Sequence, residues 1–185
     1  MPKLRDAALR RPGRDPRALP QQERVHVRAG QIADPKYSLA LNLKGLLFSD
    51  RRDYDRAIAH FNDAIAIDPK FVLAYSNRGS AYAASRNPRR ALDDFTSALR
   101  LDPTHLNSLI GRGSAYEDLN DHSRALKDYT DALGHDRDNV NALLGRGRVN
   151  LARRDFVAAY SDFSDVVRID PKRATAREGR GLAHE

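Results

Sequence analysis

The sequence contains six histidines and no cysteine, so a metal site would have to be built from imidazoles and carboxylates. The histidines lie at positions 26, 60, 105, 122, 135 and 184. None of them forms a His-x3-His or His-Glu-x-x-His pair, the spacings that place two metal ligands on one helical face. The pattern therefore disfavours a metal site, and we predict no cofactor.

Three Gly-x-Gly pairs are a second candidate, because closely spaced glycines let a backbone approach a phosphate group. They are Gly111/Gly113, Gly145/Gly147 and Gly179/Gly181. A phosphate loop of this kind follows a strand, whereas these pairs fall inside predicted helices. We interpret them as positions where two helices pack closely.

A cation recurs at a constant spacing along the chain, and we call this set the cation ladder. Its members are Lys44, Arg78, Arg112, Arg146 and Arg180. One interpretation is a stripe that faces a ligand and grips an acidic peptide. The other is an ion pair with a neighbouring helix, for which the candidates are Asp94, Asp128 and Asp162, or the aspartates that end each unit. The acids share the period of the cations, which favours ion pairs, because a partly buried Arg without a partner is costly.

No nucleophile is matched with a general base, since the Ser and Thr residues are scattered and the Asp residues recur at predicted helix ends. The residues singled out so far recur because the chain repeats every 34 residues. The repeated aspartates are Asp34, Asp68, Asp102, Asp136 and Asp170, and the repeated aromatic residues are Phe61, Phe95, Tyr129 and Phe163. Each period reads as two short amphipathic helices, so we predict an all-α protein. Because no set of catalytic residues is visible, we predict that it is not an enzyme.

Helix caps repeat in step, because Asp53, Asn87, Asp121 and Asp155 each stand one residue before a predicted second helix. Such a period of two helices resembles the tetratricopeptide repeat. The second unit carries the family's motif residues Gly79, Tyr82, Ala91, Phe95, Ala98 and Pro103. The last unit departs from the motif, with Asn150 in place of the first-helix aromatic residue and Val166 in place of an alanine. The resemblance implies a right-handed superhelical solenoid of antiparallel helix hairpins.

The period divides the chain into four units, which span residues 38–71, 72–105, 106–139 and 140–173. Before them we predict a basic, disordered arm over residues 1–19 and a degenerate leading half-repeat helix over residues 20–37. After them, residues 174–185 are predicted to form a capping or truncated helix. The helix predicted over 38–49 is apolar nearly all round, and we expect residues 20–33 or a partner to cover it.

The resemblance also implies that the first helix of each unit lines a concave groove. The groove positions of the family fall on Asn42, Leu46, Leu73, Ser76, Asn77, Ser80, Asn107, Ile110, Ser114, Asn141, Leu144 and Arg148. Asn amides can bond the backbone of an extended peptide, and the Leu and Ile side chains supply apolar contacts. One subgroup of the family binds a C-terminal carboxylate with a set of Lys and Asn side chains. In this sequence only Asn77 matches a position of that set. We therefore expect a neutral to mildly basic ligand.

The charge of the chain is uneven, since residues 1–33 hold eight Lys/Arg and three Asp/Glu, and the remainder holds 24 and 22. Because positive and negative residues are nearly equal in number after residue 33, we expect no continuous positive surface that could bind a phosphate backbone. A nucleic-acid partner is therefore not expected. The basic arm reads either as a nucleic-acid or membrane contact or as a solubilising leader. No apolar stretch reaches the ~20 residues of a membrane span, and no secretory signal is visible, which favours the cytoplasm.

The sequence thus predicts a non-catalytic protein–protein interaction adaptor that holds a peptide or protein segment in its groove. The alternative is a scaffold module that self-associates, as a homo-oligomer, by stacking through its terminal helices. The half-unit that begins at Ala174 motivates this alternative.

Overall fold

The computed structural model of the protein describes residues 35–184, which form nine α-helices and no strand. The helices are α1 (Pro35–Asp50), α2 (Tyr54–Ile67), α3 (Val72–Ala84), α4 (Pro88–Leu101), α5 (Leu106–Asp118), α6 (His122–His135), α7 (Val140–Ala152), α8 (Phe156–Ile169) and α9 (Ala174–Leu182). The arm predicted over residues 1–19 and residues 20–34 of the half-repeat helix predicted over 20–37 lie outside the described residues, and residues 35–37 belong to α1. The unit boundaries stay a prediction.

Consecutive helices pair into four hairpins, which we number one to four from α1–α2 to α7–α8, and α9 packs against α8. Successive first helices also contact one another, from α1 and α3 through to α7 and α9. Within the described residues, no second helix contacts the next second helix. The side on which consecutive helices approach each other is the inner side of a curved stack. The first helices therefore form the inner wall of an all-α solenoid, as predicted.

Each hairpin turn reverses the chain in three residues through one residue in the left-handed conformation. These residues are Arg52, Arg86, Asn120 and Arg154, with φ between 58° and 63°. At the second turn the Arg86 N–H donates to the Ala83 carbonyl at 3.0 Å, and the Asn87 N–H donates to the Tyr82 carbonyl at 2.8 Å. These two bonds form a Schellman motif, which satisfies carbonyl groups that the end of α3 would leave unpaired.

The second helices begin where the predicted caps place them. The carboxylates of Asp53, Asp121 and Asp155 each accept a bond from the backbone N–H three residues further on. Asn87 makes no such bond, and α4 instead begins with Pro88, whose fixed φ suits a first helical residue. The first helix differs from the prediction, because α1 already begins at Pro35 and not at residue 38.

The hairpins are joined by aromatic rings that pack between glycines. The ring of Phe95 on α4 is buried against Gly79 of its own hairpin and Gly111 of the next. Tyr129 packs in the same way between Gly113 and Gly145. In each Gly-x-Gly pair that two rings flank, the first glycine contacts the ring of the preceding hairpin and the second contacts the ring of its own. The close-packing interpretation is confirmed for Gly111/Gly113 and Gly145/Gly147, whereas in the third pair only Gly179 meets a ring and a Cβ at Gly181 would meet no atom within 4 Å.

We predict that Gly111→Ala destabilises the protein, although Ala is the better helix former. A Cβ at this position would lie 2.6 Å from Cε1 of Phe95, so the ring or the helix must move, at a cost of about 1–3 kcal/mol. Gly134→Ala is the matched control, because a Cβ there meets no atom within 4 Å. This control should stabilise the protein by about 0.5–1 kcal/mol. Urea unfolding measures both, and an equal effect of the two substitutions would contradict the packing account.

Candidate functional site

The central members of the cation ladder form ion pairs inside their own hairpins. Arg78 donates from Nε and Nη2 to the two carboxylate oxygens of Asp94, at 2.7 and 2.6 Å. Arg112 binds Asp128 in the same two-pronged way at 2.7 Å, and Arg146 binds Asp162 at 2.6 to 3.1 Å. All three aspartates are buried. The ion-pair interpretation is confirmed for these three cations, and their guanidinium groups are not free to grip a ligand.

The two end members of the cation ladder, Lys44 and Arg180, lack the aspartate that the central members bind. In the first hairpin His60 stands at the aspartate position, and within the described residues no second helix follows Arg180. Neither Lys44 nor Arg180 forms an ion pair in this part of the chain. Burial raises the pKa of the Asp94 carboxyl, while the bonds from Arg78 oppose that shift. Desolvation and charge pairing thus act against each other in the Arg78–Asp94 pair.

We predict that Asp128→Asn lowers the free energy of unfolding by about 3 kcal/mol, because it leaves the Arg112 charge half-buried and without its carboxylate. Asp131→Asn is the matched control on the same helix, since it removes an exposed ion pair with Lys127. Its cost should stay below about 1 kcal/mol. Chemical denaturation of the two variants measures the difference, and equal costs would show that burial does not govern the Asp128 pair.

The predicted groove residues divide into three groups by exposure. Those that are exposed on the first helices are Leu73, Ser80, Asn107, Asn141 and Arg148. Those that are partly exposed are Leu46, Asn77, Ile110 and Ser114. Those that are buried are Asn42, Ser76 and Leu144. The buried group shares one repeat position with Ile110, one residue beyond the core positions of Leu41, Leu109 and Leu143. This position therefore contributes mainly to packing, and the exposed group presents the surface that a ligand can reach.

Two amides join the first and second hairpins across the inner wall. Asn77 on α3 donates from Nδ2 to Oδ1 of Asn42 on α1, at 2.9 Å. Asn42 is 2% exposed, so this bond satisfies a buried amide. The same bond occupies the amide of Asn77, which the sequence analysis predicted to bind a ligand.

A second network joins the third and fourth hairpins on the same wall. Arg148 on α7 donates from Nε and Nη2 to both carboxylate oxygens of Glu117 on α5, at 2.8 and 2.9 Å. The hydroxyl of Tyr129 donates to Glu117 at 3.0 Å. Burial, followed by the Glu117 charge, raises the pKa of the Tyr129 hydroxyl well above its ordinary value. Sequence reasoning placed Arg148 in the groove but missed its partner.

The surface of the first helices that these networks cross, which we call the inner face, carries almost no unpaired charge on α3, α5 and α7. All four arginines of α3, α5 and α7 are in ion pairs, namely Arg78, Arg112, Arg146 and Arg148. The one unpaired charge on these three helices is the exposed carboxylate of Asp118. Exposed apolar side chains lie towards α1, with Leu39, Leu43 and Leu73, while the exposed amides of Asn107 and Asn141 lie on α5 and α7.

Two further kinds of site were sought in the same part of the chain. Within residues 35–184, no three His, Asp or Glu side chains come close enough to hold a metal ion. None of the helices described has both the length and the apolar character that crossing a bilayer requires.

The stacked hairpins and the continuous inner face define a class, the α-helical repeat solenoids. The chain matches the family model described as TPR repeat over residues 45–85, and models described as tetratricopeptide repeat over residues 72–105 and 110–174. The chain belongs to the tetratricopeptide repeat family, as the 34-residue period indicated. No curated protein sequence matches it.

Solved structures of tetratricopeptide repeat proteins are similar to the chain. The crystal structure of the MamA protein matches with a TM-score of 0.73 and 20% identity, covering 82% of each chain. YrrB, described as a TPR protein with an unusual peptide-binding site, matches with a TM-score of 0.68 and 22% identity, covering 80% of this chain and 76% of its own. At these identities the likeness shows the fold.

The first TPR domain of Spaghetti (RPAP3) is a third similar structure, determined bound to the HSP90 peptide SRMEEVD. Its TM-score is 0.65 and its identity 27%, and the match covers 66% of this chain and 98% of that domain.

Proposed function

We propose that the protein is a non-catalytic adaptor that binds a peptide or protein segment along its inner face. The observation that carries the proposal is the row of exposed amides and leucines on consecutive first helices. Asn107 and Asn141 stand one repeat apart, as do Leu39 and Leu73. Amides one repeat apart suit an extended backbone, because each can both donate and accept a hydrogen bond whatever the peptide sequence.

The charges of the inner face lead us to propose a neutral to mildly basic ligand. An acidic tail needs unpaired cations, and every arginine of α3, α5 and α7 already binds a carboxylate. A basic ligand meets the unpaired carboxylate of Asp118 instead. The opposite charge of this carboxylate favours such a partner locally, in specificity.

The similar structures support a peptide-binding role without naming a ligand for this chain. The Spaghetti (RPAP3) domain is bound to SRMEEVD, a peptide with three acidic side chains. The paired arginines of this chain argue for a different ligand charge on the same kind of surface. A cytoplasmic location stays a prediction of the sequence.

We predict that Asn107→Ala combined with Asn141→Ala weakens binding of a peptide selected on the wild-type protein from a random library. Losing two hydrogen bonds of about 1 kcal/mol each lowers affinity by about 30-fold. Both side chains are exposed, so the circular dichroism spectrum should not change. Thr96→Ala combined with Ser123→Ala, which alters exposed residues of the second helices, is the control and should retain full affinity. Equal affinities of both double variants, measured by calorimetry, would remove the inner-face proposal.

We further predict that Glu117→Gln increases affinity for the acidic heptapeptide SRMEEVD. The substitution keeps an acceptor for the Tyr129 hydroxyl and frees the charge of Arg148, which can then bind a peptide carboxylate. One charge-assisted hydrogen bond corresponds to an increase of about tenfold. The gain should vanish in Glu117→Gln combined with Arg148→Gln, and it should shrink at high salt. Fluorescence anisotropy measures these affinities, and a gain that survives the loss of Arg148 would contradict the charge argument.

The alternative is a scaffold that self-associates through its terminal helices. The observation in its favour is the apolar exposure of α1, on which Tyr37, Leu39, Leu43 and Leu47 are 45 to 60% exposed, and of Leu182 on α9. A free apolar area of this kind marks an interaction surface. Under this alternative the sedimentation coefficient rises with protein concentration, whereas the adaptor sediments as a monomer throughout.

A further inference from the structure

Three of the four hairpins share an aromatic ring covered by an arginine on the side of the second helices. The rings belong to the last or next-to-last turn of the first helix, and the arginines lie in the first turn of the second helix. The pairs are Phe48/Arg56, Tyr82/Arg90 and Tyr116/Arg124, with guanidinium carbons 4.6, 5.6 and 4.6 Å from the ring centroids. A ring and a cation at these distances attract each other, so the pair closes this part of each hairpin.

The fourth hairpin lacks both members of the pair. Asn150 stands at the position of the ring, and Ala158 stands at the position of the arginine. A pocket of about 340 Å³ lies there, lined by both of these residues and by Leu126 and Thr130 of α6. The internal repeat thus shows what this space accommodates elsewhere in the same chain, namely a ring and the guanidinium that covers it.

The floor of the pocket is polar and buried. Asn150 is 6% exposed and donates from Nδ2 to Oδ2 of Asp162 at 3.2 Å, and Asp162 is 2% exposed. Arg146 also lines the pocket and binds the same carboxylate. In the two preceding hairpins the hydroxyl of the tyrosine lies within electrostatic range of the equivalent ladder arginine, as Tyr116 does beside Arg112. A phenol in the pocket would therefore place its hydroxyl beside Arg146.

The helix that carries part of the pocket starts without charge, unlike the second helices of the other hairpins. The first six residues of α8 carry no charge, and Ala158 among them lines the pocket together with Leu126. The first turns of α2, α4 and α6 all carry charged side chains. Apolar side chains beside a polar, buried floor are the arrangement of a binding site for an amphipathic side chain.

We propose that this pocket, between α6, α7 and α8 on the side away from the inner face, binds a tyrosine side chain presented by a partner protein. The tyrosine takes the place of the ring that Asn150 does not supply. Its hydroxyl meets Arg146 and Asp162, and its ring packs against Leu126 and Ala158. An acidic side chain is disfavoured, because the guanidinium of Arg146 is already bound to Asp162. The site is separate from the peptide-binding inner face and is independent of it.

The test is a titration of the full chain with N-acetyl-L-tyrosinamide, followed by proton–nitrogen correlation NMR. Saturable shifts are expected at the amide groups of Asn150, Ala158 and Ser161, and N-acetyl-L-alaninamide should not produce them. Ala158→Arg, an added side chain on the helix surface, covers the pocket and should weaken tyrosinamide binding by about tenfold. Asn150→Tyr combined with Ala158→Arg restores the pattern of the second and third hairpins and should abolish binding with helicity unchanged.

The converse variant, Tyr116→Asn combined with Arg124→Ala, opens the same space in hairpin three and should create a second set of saturable shifts there. Absence of saturable shifts in the wild-type protein would overturn the proposal, as would shifts that persist in both covered variants. A concentration-dependent dimer that Ala158→Arg abolishes would assign the pocket to a second copy of this chain, and the partner proposal would be wrong.

Discussion

The packing of one aromatic ring between two glycines is the contact on which the stack depends. Phe95, Tyr129 and Phe163 each touch a glycine of their own hairpin and a glycine of the first-position helix that follows it, so one ring sets the distance between two such helices. A repeat solenoid has contacts only between neighbours, and its curvature is the sum of these local distances. The inner face exists because the glycines let the first helices approach closely while the second helices stay apart.

The ion pairs of the ladder complete each hairpin and at the same time decide what the inner face can bind. Each buried aspartate holds a guanidinium that would otherwise project freely from a first helix. The Glu117–Arg148 pair does the same between hairpins three and four. A face with its cations already neutralised recognises a partner through amides and apolar side chains, so shape and hydrogen bonding outweigh net charge in its selectivity.

The fourth hairpin shows how a repeat can acquire a second surface without losing its fold. The ring–glycine contact of Phe163 and the Arg146–Asp162 pair are retained there. The partly buried ring and its covering arginine are replaced, by Asn150 and Ala158. Because the replaced pair lies on the side of the second helices, the pocket and the inner face can be occupied independently.

The sequence by itself determined the helices of the four hairpins, three of the four side-chain caps of the second helices and the close packing at two Gly-x-Gly pairs, and it named the aspartates of the second helices among the partners of the ladder arginines. These features follow from the 34-residue period and from the separation of 16 residues between each ladder arginine and its aspartate, both of which can be read from the sequence. The tertiary structure decided which groove positions are exposed. It buried Asn42, Ser76 and Leu144, bonded Asn77 to Asn42 and paired Arg148 with Glu117. These contacts depend on the angle at which consecutive first helices cross, and that angle cannot be predicted from residue spacing in the sequence.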